Sequence, residues 1–403
     1  MPMKKYVVID TNLLLEGLES ISIQGIPTLL SHTLRELEKH KLSHNQDLAY
    51  RARQATRFIE NNKDRFYFDL RDYKWSLNSF FDSTYQDNNI LQACYDNGYA
   101  LMTNDLLLRQ KARGLEIEVI DLDENTEDDY SGYTEVTVDD EQLAYFYENL
   151  AENTYNLLQN QYLFLKDENG NYFDVVKWDG RSHVKCTEKN LSTHLLGKFK
   201  PMDLYQKAAI DSLLTNDITL LRGKAGSGKS LVALNYALHQ LEKGKASRLV
   251  CLVNPYPVKN AQEIGFYKGF KDEKLMQSGI GNILTSKIGD RNKVEAMIAV
   301  GEIVLIPFVD IRGYDTGDDS IVWITEAQNL SVDLMKLGLQ RIGKGSKIII
   351  DGDDKAQVDN SAFAGRNNGI KRMSKIFRGT DVYGEMTFST IYRSRIADIA
   401  DQM

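Results

Sequence analysis

Two groups of residues in this chain have the types and spacing to act on phosphate. The first is Gly223-Lys224-Ala225-Gly226-Ser227-Gly228-Lys229-Ser230, which fits G-x-x-x-x-G-K-[ST] in full. Glycines in such a run let backbone N–H groups turn inward around an anion, and a helix start adds its positive dipole end. Lys229 can then reach the β- and γ-phosphates of a nucleotide, and Ser230 can ligate Mg²⁺. The second group is four acids, Asp10, Glu36, Asp87 and Asp105. Clustered carboxylates repel one another unless a cation joins them, and Mg²⁺ or Mn²⁺ prefers such hard oxygen ligands. A metal held there can activate water and neutralise charge on a phosphate under attack. Taken singly, each acid reads as a solvated surface charge or a helix cap, and Asp10 is placed to cap the helix after it.

These groups need elements to place them. Residues 218–221 are an apolar run of buried-strand type, and 231–241 have helical spacing, with Gly244 suited to end the helix. The glycine run therefore lies between a strand and a helix start. Further apolar strands are expected at 248–253, 320–324 and 347–350, and their alternation with helices argues for a parallel sheet covered on both faces. Strand 320–324 leads into Thr325 and Glu326, where Glu326 is placed to orient or activate an attacking water. Strand 347–350 leads into Asp351-Gly352-Asp353-Asp354, with Gln357 beyond to sense a γ-phosphate. Upstream, the Gln206 amide can read a donor and an acceptor on adenine, or it is a plain exposed helix residue. Arg393 opens a helical stretch; it is either a surface ion-pair residue or an arginine presented to a neighbour's nucleotide.

In residues 1–122 strands are expected at 5–9, 99–102 and 116–120, and helices around 34–41, 49–61, 90–95 and 106–113. Asp10 and Asp105 each fall just past the C-terminal end of a strand, the edge where open α/β sheets bind ligands. Next comes an acidic run, Asp121, Asp123, Glu124, Glu127, Asp128 and Asp129, which reads as an extended connection. A polar helix at 141–159 and a hairpin of 161–165 with 172–178 follow. This piece is too small for a core of its own and should pack on a neighbour.

Composition narrows the class. With 42% apolar and 26% charged residues over 403, the chain is expected to be globular, with room for two or three domains. It has no apolar run of membrane-spanning length, and Met1 to Lys5 lead into a strand rather than a signal peptide. Cys94, Cys186 and Cys251 lie far apart and leave an odd count, which points to a reducing cytoplasm. The net charge of −8 means that nucleic acid would need a local basic patch. Lys259, Lys268, Lys271 and Lys274, interleaved with Phe266, Tyr267 and Phe270, are one candidate; a solvated loop is the other reading.

Val8-Ile9-Asp10-Thr11-Asn12, Leu34-Arg35-Glu36-Leu37, Asp87-Asn88-Asn89-Ile90-Leu91 and Thr103-Asn104-Asp105 resemble, in order and spacing, the motifs of PIN-domain ribonucleases. The resemblance covers about 120 residues. It implies that Asp10, Glu36, Asp87 and Asp105 bind metal to hydrolyse RNA phosphodiesters, with Asn12 and Thr103 supporting the site.

Residues 123–403 resemble the PhoH family of ATPases, whose core is like that of superfamily-one helicases. The matching words include Gly223 to Ser230, Glu263-Ile264-Gly265-Phe266, Ile311-Arg312-Gly313, Glu326-Ala327-Gln328-Asn329, Arg341-Ile342-Gly343, Asn368-Gly369 and Arg393-Ser394. Three positions depart from the family. Thr325 replaces the Walker B Asp, Asn254 stands where Arg is usual, and either Asp353 or Asp354 takes the place of the acid after Gly352. A Thr hydroxyl carries no charge, so weaker Mg²⁺ binding and slow turnover are expected from Thr325.

The fold class expected is α/β: a PIN-like Rossmannoid domain at 1–122, a linker and small β-hairpin connector at 123–200, and a RecA-like P-loop ATPase at 201–403. The resemblance implies an ATP-dependent RNA helicase joined to a metal-dependent endoribonuclease, using ATP and Mg²⁺ (Mn²⁺ at the nuclease site) as a cytoplasmic homo-hexamer without a membrane partner. The competing readings are a DNA-directed helicase–nuclease and a nucleotide-controlled assembly protein with little turnover.

Overall fold

The computed structural model describes residues 5–16, 25–44, 46–78, 80–82, 85–120, 130–187, 190–253, 276, 279–354 and 367–392. The chain forms two compact units, Met1–Asp129 and Tyr130–Met403, both α/β. Among the described residues no helix is long and apolar enough to cross a membrane.

The first unit is built on four parallel strands, β1 (Tyr6–Ile9), β2 (Ile26–Leu30), β3 (Tyr67–Asp69) and β4 (Ala100–Met102), in the order β3-β2-β1-β4. Successive strand residues face opposite sides. Val7 and Ile9 pack with apolar residues of α1 (Thr11–Glu16), α2 (Ser31–Lys41) and α3 (Gln46–Asn61). Val8 packs with those of α4 (Gln86–Asn97) and α5 (Leu106–Gly114). The chain leaves β1 toward β2 and later returns to β4 on the other side of β1. The strand order thus reverses between β1 and β4, which opens a crevice at their C-terminal ends. The strand expected at 116–120 contributes only one bridge, Leu101 with Val119. β2 and β3 lie outside the expected set.

The second unit begins with a sheet of β5 (Tyr133–Thr137), β6 (Tyr162–Lys166), β7 (Tyr172–Trp178) and β8 (His183–Lys185), in which β6 and β7 form the expected hairpin. The expected helix at 141–159 is shorter: α6 runs Asp140–Glu148 behind a capping box of Asp139 and Gln142. Beyond it Asn153 Oδ1 accepts from Leu157 N at 2.8 Å, and Asn156 takes a left-handed φ of 51°. Asparagine side chains that bond nearby backbone compete with helix, which ends it early. One face of this sheet has a small core of its own, with Leu163, Leu165 and Val176 against Phe146. The other face, through Tyr162, Phe164 and Val175, shares a core with the helices that follow. Buried Asp211 fastens the two: it accepts from Tyr162 Oη at 2.8 Å and pairs with Lys177 Nζ at 3.0 Å.

After the two-stranded β9 (Leu191–Thr193) and β10 (Gly197–Phe199) come α7 (Leu204–Thr215), β11 (Ile218–Gly223), α8 (Lys229–Glu242), β12 (Leu249–Val253), β13 (Ile303–Pro307), β14 (Ile321–Ile324), β15 (Lys347–Gly352) and β16 (Tyr383–Phe388). The six strands from β11 onward form one parallel sheet in the order β13-β12-β14-β15-β11-β16. Leu221, Cys251, Trp323 and Ile349 fill one face, and Leu220, Val250, Ile324 and Ile350 the other. β13 and β16 flank the expected strands at the two edges.

Arg222 locks the glycine-loop strand to its neighbours. Its guanidinium holds Asp354 in two bonds (2.9 and 2.7 Å) and Glu385 Oε1 at 2.7 Å, all buried. The other oxygen of Glu385 accepts from Ser374 Oγ at 2.6 Å and Tyr383 Oη at 2.7 Å. Removing one partner of such a network leaves buried charge uncompensated. Arg222→Met is therefore expected to destabilise the second unit by about 3–5 kcal/mol. A urea melt checks this, and an unchanged midpoint would show that the network does not brace the sheet.

Candidate functional site

The glycine run lies where the sequence places it, between β11 and the first residue of α8. Gly223, Gly226 and Gly228 have φ of 140°, 84° and 96°, a region that a side chain disfavours. Space demands glycine as well. A Cβ on Gly223 would stand 2.7 Å from the Phe388 carbonyl, and one on Gly228 would stand 2.8 Å from Gln206 Nε2. The Lys229 ammonium curls over the loop and donates to the carbonyls of Gly223 (2.5 Å) and Lys224 (3.0 Å). Ser230 is half-buried in the first turn of the helix, and the buried Ser227 hydroxyl finds no hydrogen-bond partner among the described residues. A loop of positive-φ glycines, a lysine, two hydroxyls and a helix start fit a nucleotide phosphate with Mg²⁺.

Around this loop the other candidates fall unevenly. Gln206 is buried rather than exposed; its Oε1 accepts from Met202 N at 3.0 Å, and its amide nitrogen backs the loop at Gly228. Glu326 follows β14 in a left-handed conformation, φ 52°, and is exposed at the sheet edge. Such backbone strain in a non-glycine residue persists only where its surroundings enforce it. Gln328 does so here, donating to Glu326 Oε2 at 2.6 Å while its Oε1 accepts from Asp353 N at 3.1 Å. Gln357 and Arg393 lie outside the described residues, as do the basic stretch from Lys259 to Lys274 and the acidic run 121–129. Tyr392, just before Arg393, donates its backbone N–H to the Gly226 carbonyl at 3.0 Å.

Two residues here, Gln328 and Asp351, stand within the quoted sequence words but were given no role of their own. Asp351 ends the apolar part of β15, wholly buried, and accepts from Thr325 Oγ1 and from the Trp323 indole, each at 2.9 Å. Burial pushes its pKa up, and nearby Lys229 pulls it back. Its signal was available: it is an acid at the C-terminal end of a strand next to the glycine-loop strand, the same placement that marks Asp10.

The four acids of the first unit come together at the β1/β4 crevice. Asp10 follows β1, its backbone N–H bonded to the Met102 carbonyl at 3.1 Å, and Thr103 Oγ1 donates to Asp10 Oδ2 at 2.7 Å. Thr103 Oγ1 also accepts from Asp105 N at 3.0 Å. Asp105 caps α5 through Leu108 N at 2.9 Å, so its cap role and its crevice position coexist. Thr11 Oγ1 donates to Glu36 Oε2 at 2.5 Å from the start of α1. Asn12, implied as a support, is exposed. Asp87 lies in the first turn of α4.

The cluster is electrostatically one site. Asp10 has its pKa raised by burial, against the Thr103 hydrogen bond, with further push from Glu36 and Asp105. Asp87 is raised to about 6 by burial and by Asp10, Glu36 and Asp105, with Lys111 opposing. Among the described residues no three His, Cys, Asp or Glu side chains converge closely enough to hold a metal ion. Hydroxyls of Thr103 and Thr11 orient Asp10 and Glu36, and Asp105 is tied to the start of α5. The donor set, hard oxygens with excess negative charge, fits Mg²⁺ or Mn²⁺.

Comparison with known proteins matches these two units to two families. Residues 198–401 match the model of PhoH-like proteins, and residues 7–123 match that of the PIN domain. The chain is 28% identical to protein PhoH2 of Bacillus subtilis over 99% of both chains. It is 25% identical to protein PhoH2 of Thermobispora bispora, covering 98% of this chain and 95% of the other. A PhoH-like protein of Mycobacterium tuberculosis is 28% identical over 50% of this chain and 57% of its own. With the glycine loop, Glu326 and the parallel sheet inside the matched region, the chain belongs to the PhoH-like protein family and carries a PIN domain ahead of its PhoH domain.

Proposed function

We propose that this chain is an ATP-driven RNA-processing enzyme, an RNA helicase coupled to a metal-dependent endoribonuclease and assembled as a homo-hexamer. One observation carries the reading. A single chain has two phosphate-directed sites, each at the C-terminal edge of its own parallel sheet. In the second unit the loop amides of residues 223–230 and Lys229 bind the β- and γ-phosphates. Ser230 holds Mg²⁺, which when bound neutralises phosphate charge. Glu326, steered by Gln328, orients the attacking water. Gln206 at the back of the loop, Gln357 toward the γ-phosphate, and Arg393 toward a neighbour's nucleotide complete the proposal. In the first unit Asp10, Glu36, Asp87 and Asp105 hold Mg²⁺ or Mn²⁺, which when bound activates water. Thr103 and Thr11 fix the orientation of Asp10 and Glu36.

The test uses the full chain with a partly duplex RNA and the matched DNA, with and without ATP. The expected result is RNA cleavage that ATP stimulates, with the DNA left intact. Cleavage indifferent to ATP would separate the two activities, and equal cleavage of DNA would refute the choice of RNA. Sedimentation with a non-hydrolysable ATP analogue reads the hexamer directly.

A further inference from the structure

Position 325, where the family's carboxylate usually stands, holds a threonine, and the structure holds a carboxylate one strand away. β14 and β15 pair with Ile324 opposite Ile350, so the residues that follow, Thr325 and Asp351, stand side by side. The Thr325 hydroxyl donates to Asp351 Oδ1 at 2.9 Å, and the Glu326 N–H reaches the same oxygen at 3.4 Å. The Trp323 indole donates to Oδ2 at 2.9 Å. On its other side β15 pairs with β11, with Asp351 opposite Leu221, two residues before the glycine loop. The charges that Asp351 feels most are Lys229 and Glu326, the two residues assigned to the γ-phosphate and the water.

A purely structural role explains this poorly. Three neutral donors on its two oxygens fix the carboxylate's orientation, but they bring no opposite charge to offset the cost of burying an ionisable carboxyl. An acid is useful here because the neighbouring site must bind a cation and a lysine. Mg²⁺ keeps several waters, and those waters want an anionic acceptor beyond them.

The geometry points to Asp351 as the residue that positions the Mg²⁺ water shell, supplying from β15 the charge that Thr325 cannot supply from β14. This rests on the nucleotide-site reading above. Thr325 and Trp323 then act as donors that orient the Asp351 carboxylate. The weak Mg²⁺ binding expected from Thr325 alone no longer follows, because the charge count of the site is intact.

The test compares wild type, Asp351→Asn, Thr325→Asp and the exchange Thr325→Asp/Asp351→Thr, all as full chains. The readout is binding of a fluorescent ADP analogue titrated with Mg²⁺, alongside binding in chelator and a thermal melt. Asp351→Asn is expected to need about 10–100-fold more Mg²⁺ for half-maximal binding, with chelator-insensitive binding unchanged. The exchange should return the midpoint to the wild-type range. Thr325→Asp alone sets two carboxylates against each other and should give no improvement. Superimposed Mg²⁺ titrations of Asp351→Asn and wild type would overturn the inference, as would a Thr325→Asp midpoint below wild type. If Asp351→Asn fails to fold, the exchange variant decides: a midpoint outside the wild-type range overturns the inference. A wild type that binds no nucleotide at all would instead refute the nucleotide site itself.

Discussion

A Lys229→Ala chain is expected to release no phosphate from ATP above background. Lys229 is the first residue of α8, and its ammonium already reaches over the loop to the Gly223 and Lys224 carbonyls. A γ-phosphate arriving there meets a compact cation with three donors, placed where negative charge grows during transfer. Losing one preorganised donor of this kind costs about 10²–10³-fold in rate, and losing its full charge costs more. The backbone amides remain, so some nucleotide binding should survive. Lys229→Arg keeps the charge but replaces a point cation with a planar fork, and it should not restore the rate. Phosphate release at the wild-type rate from Lys229→Ala would show that the loop does not serve ATP.

The glycine loop was legible because its residue types are forced by geometry. Three glycines sit at positive φ, two of them also against a neighbouring atom, and no other residue type meets both demands. Asp10 and Asp105 were legible because each follows a strand, but Glu36 and Asp87 reach the crevice from helices and needed the family resemblance. Elements were lost where local pattern conflicts with final environment. β2 contains Pro27, which reads as a strand breaker although the strand is paired on both sides. β16 contains Gly384 and Glu385, and the charge of its buried glutamate is met by Arg222, 163 residues away. β13 has the same apolar pattern as its neighbours and was open to the same reading. Thr325 reads as a loss in the sequence because its partner Asp351 is 26 residues away and adjacent only in the sheet.

Asp10→Asn is expected to abolish RNA cleavage and leave ATP binding intact, since the two sites belong to separate compact units. An Asn carbonyl can still accept the Thr103 hydroxyl now bonded to Asp10 Oδ2, so the change removes charge more than structure. A metal acting on phosphate supplies several kcal/mol, so its loss corresponds to a fall of about 10²–10⁴-fold in cleavage. Asp105→Asn should act alike, because Asn is also a good helix cap and α5 keeps its start. A second readout separates metal binding from catalysis. Burial first, and then the charges of Asp10, Glu36 and Asp105, raise the pKa of Asp87 to about 6, so the four acids repel one another. A cation that joins them should therefore stabilise the folded first unit by mass action, and millimolar Mn²⁺ should raise its melting temperature. Asp10→Asn lowers that repulsion, so its metal-free melt should be no worse than wild type while its response to Mn²⁺ shrinks. Cleavage that persists in excess chelator, or a Mn²⁺ response that Asp10→Asn leaves whole, would show that these carboxylates do not work through a metal.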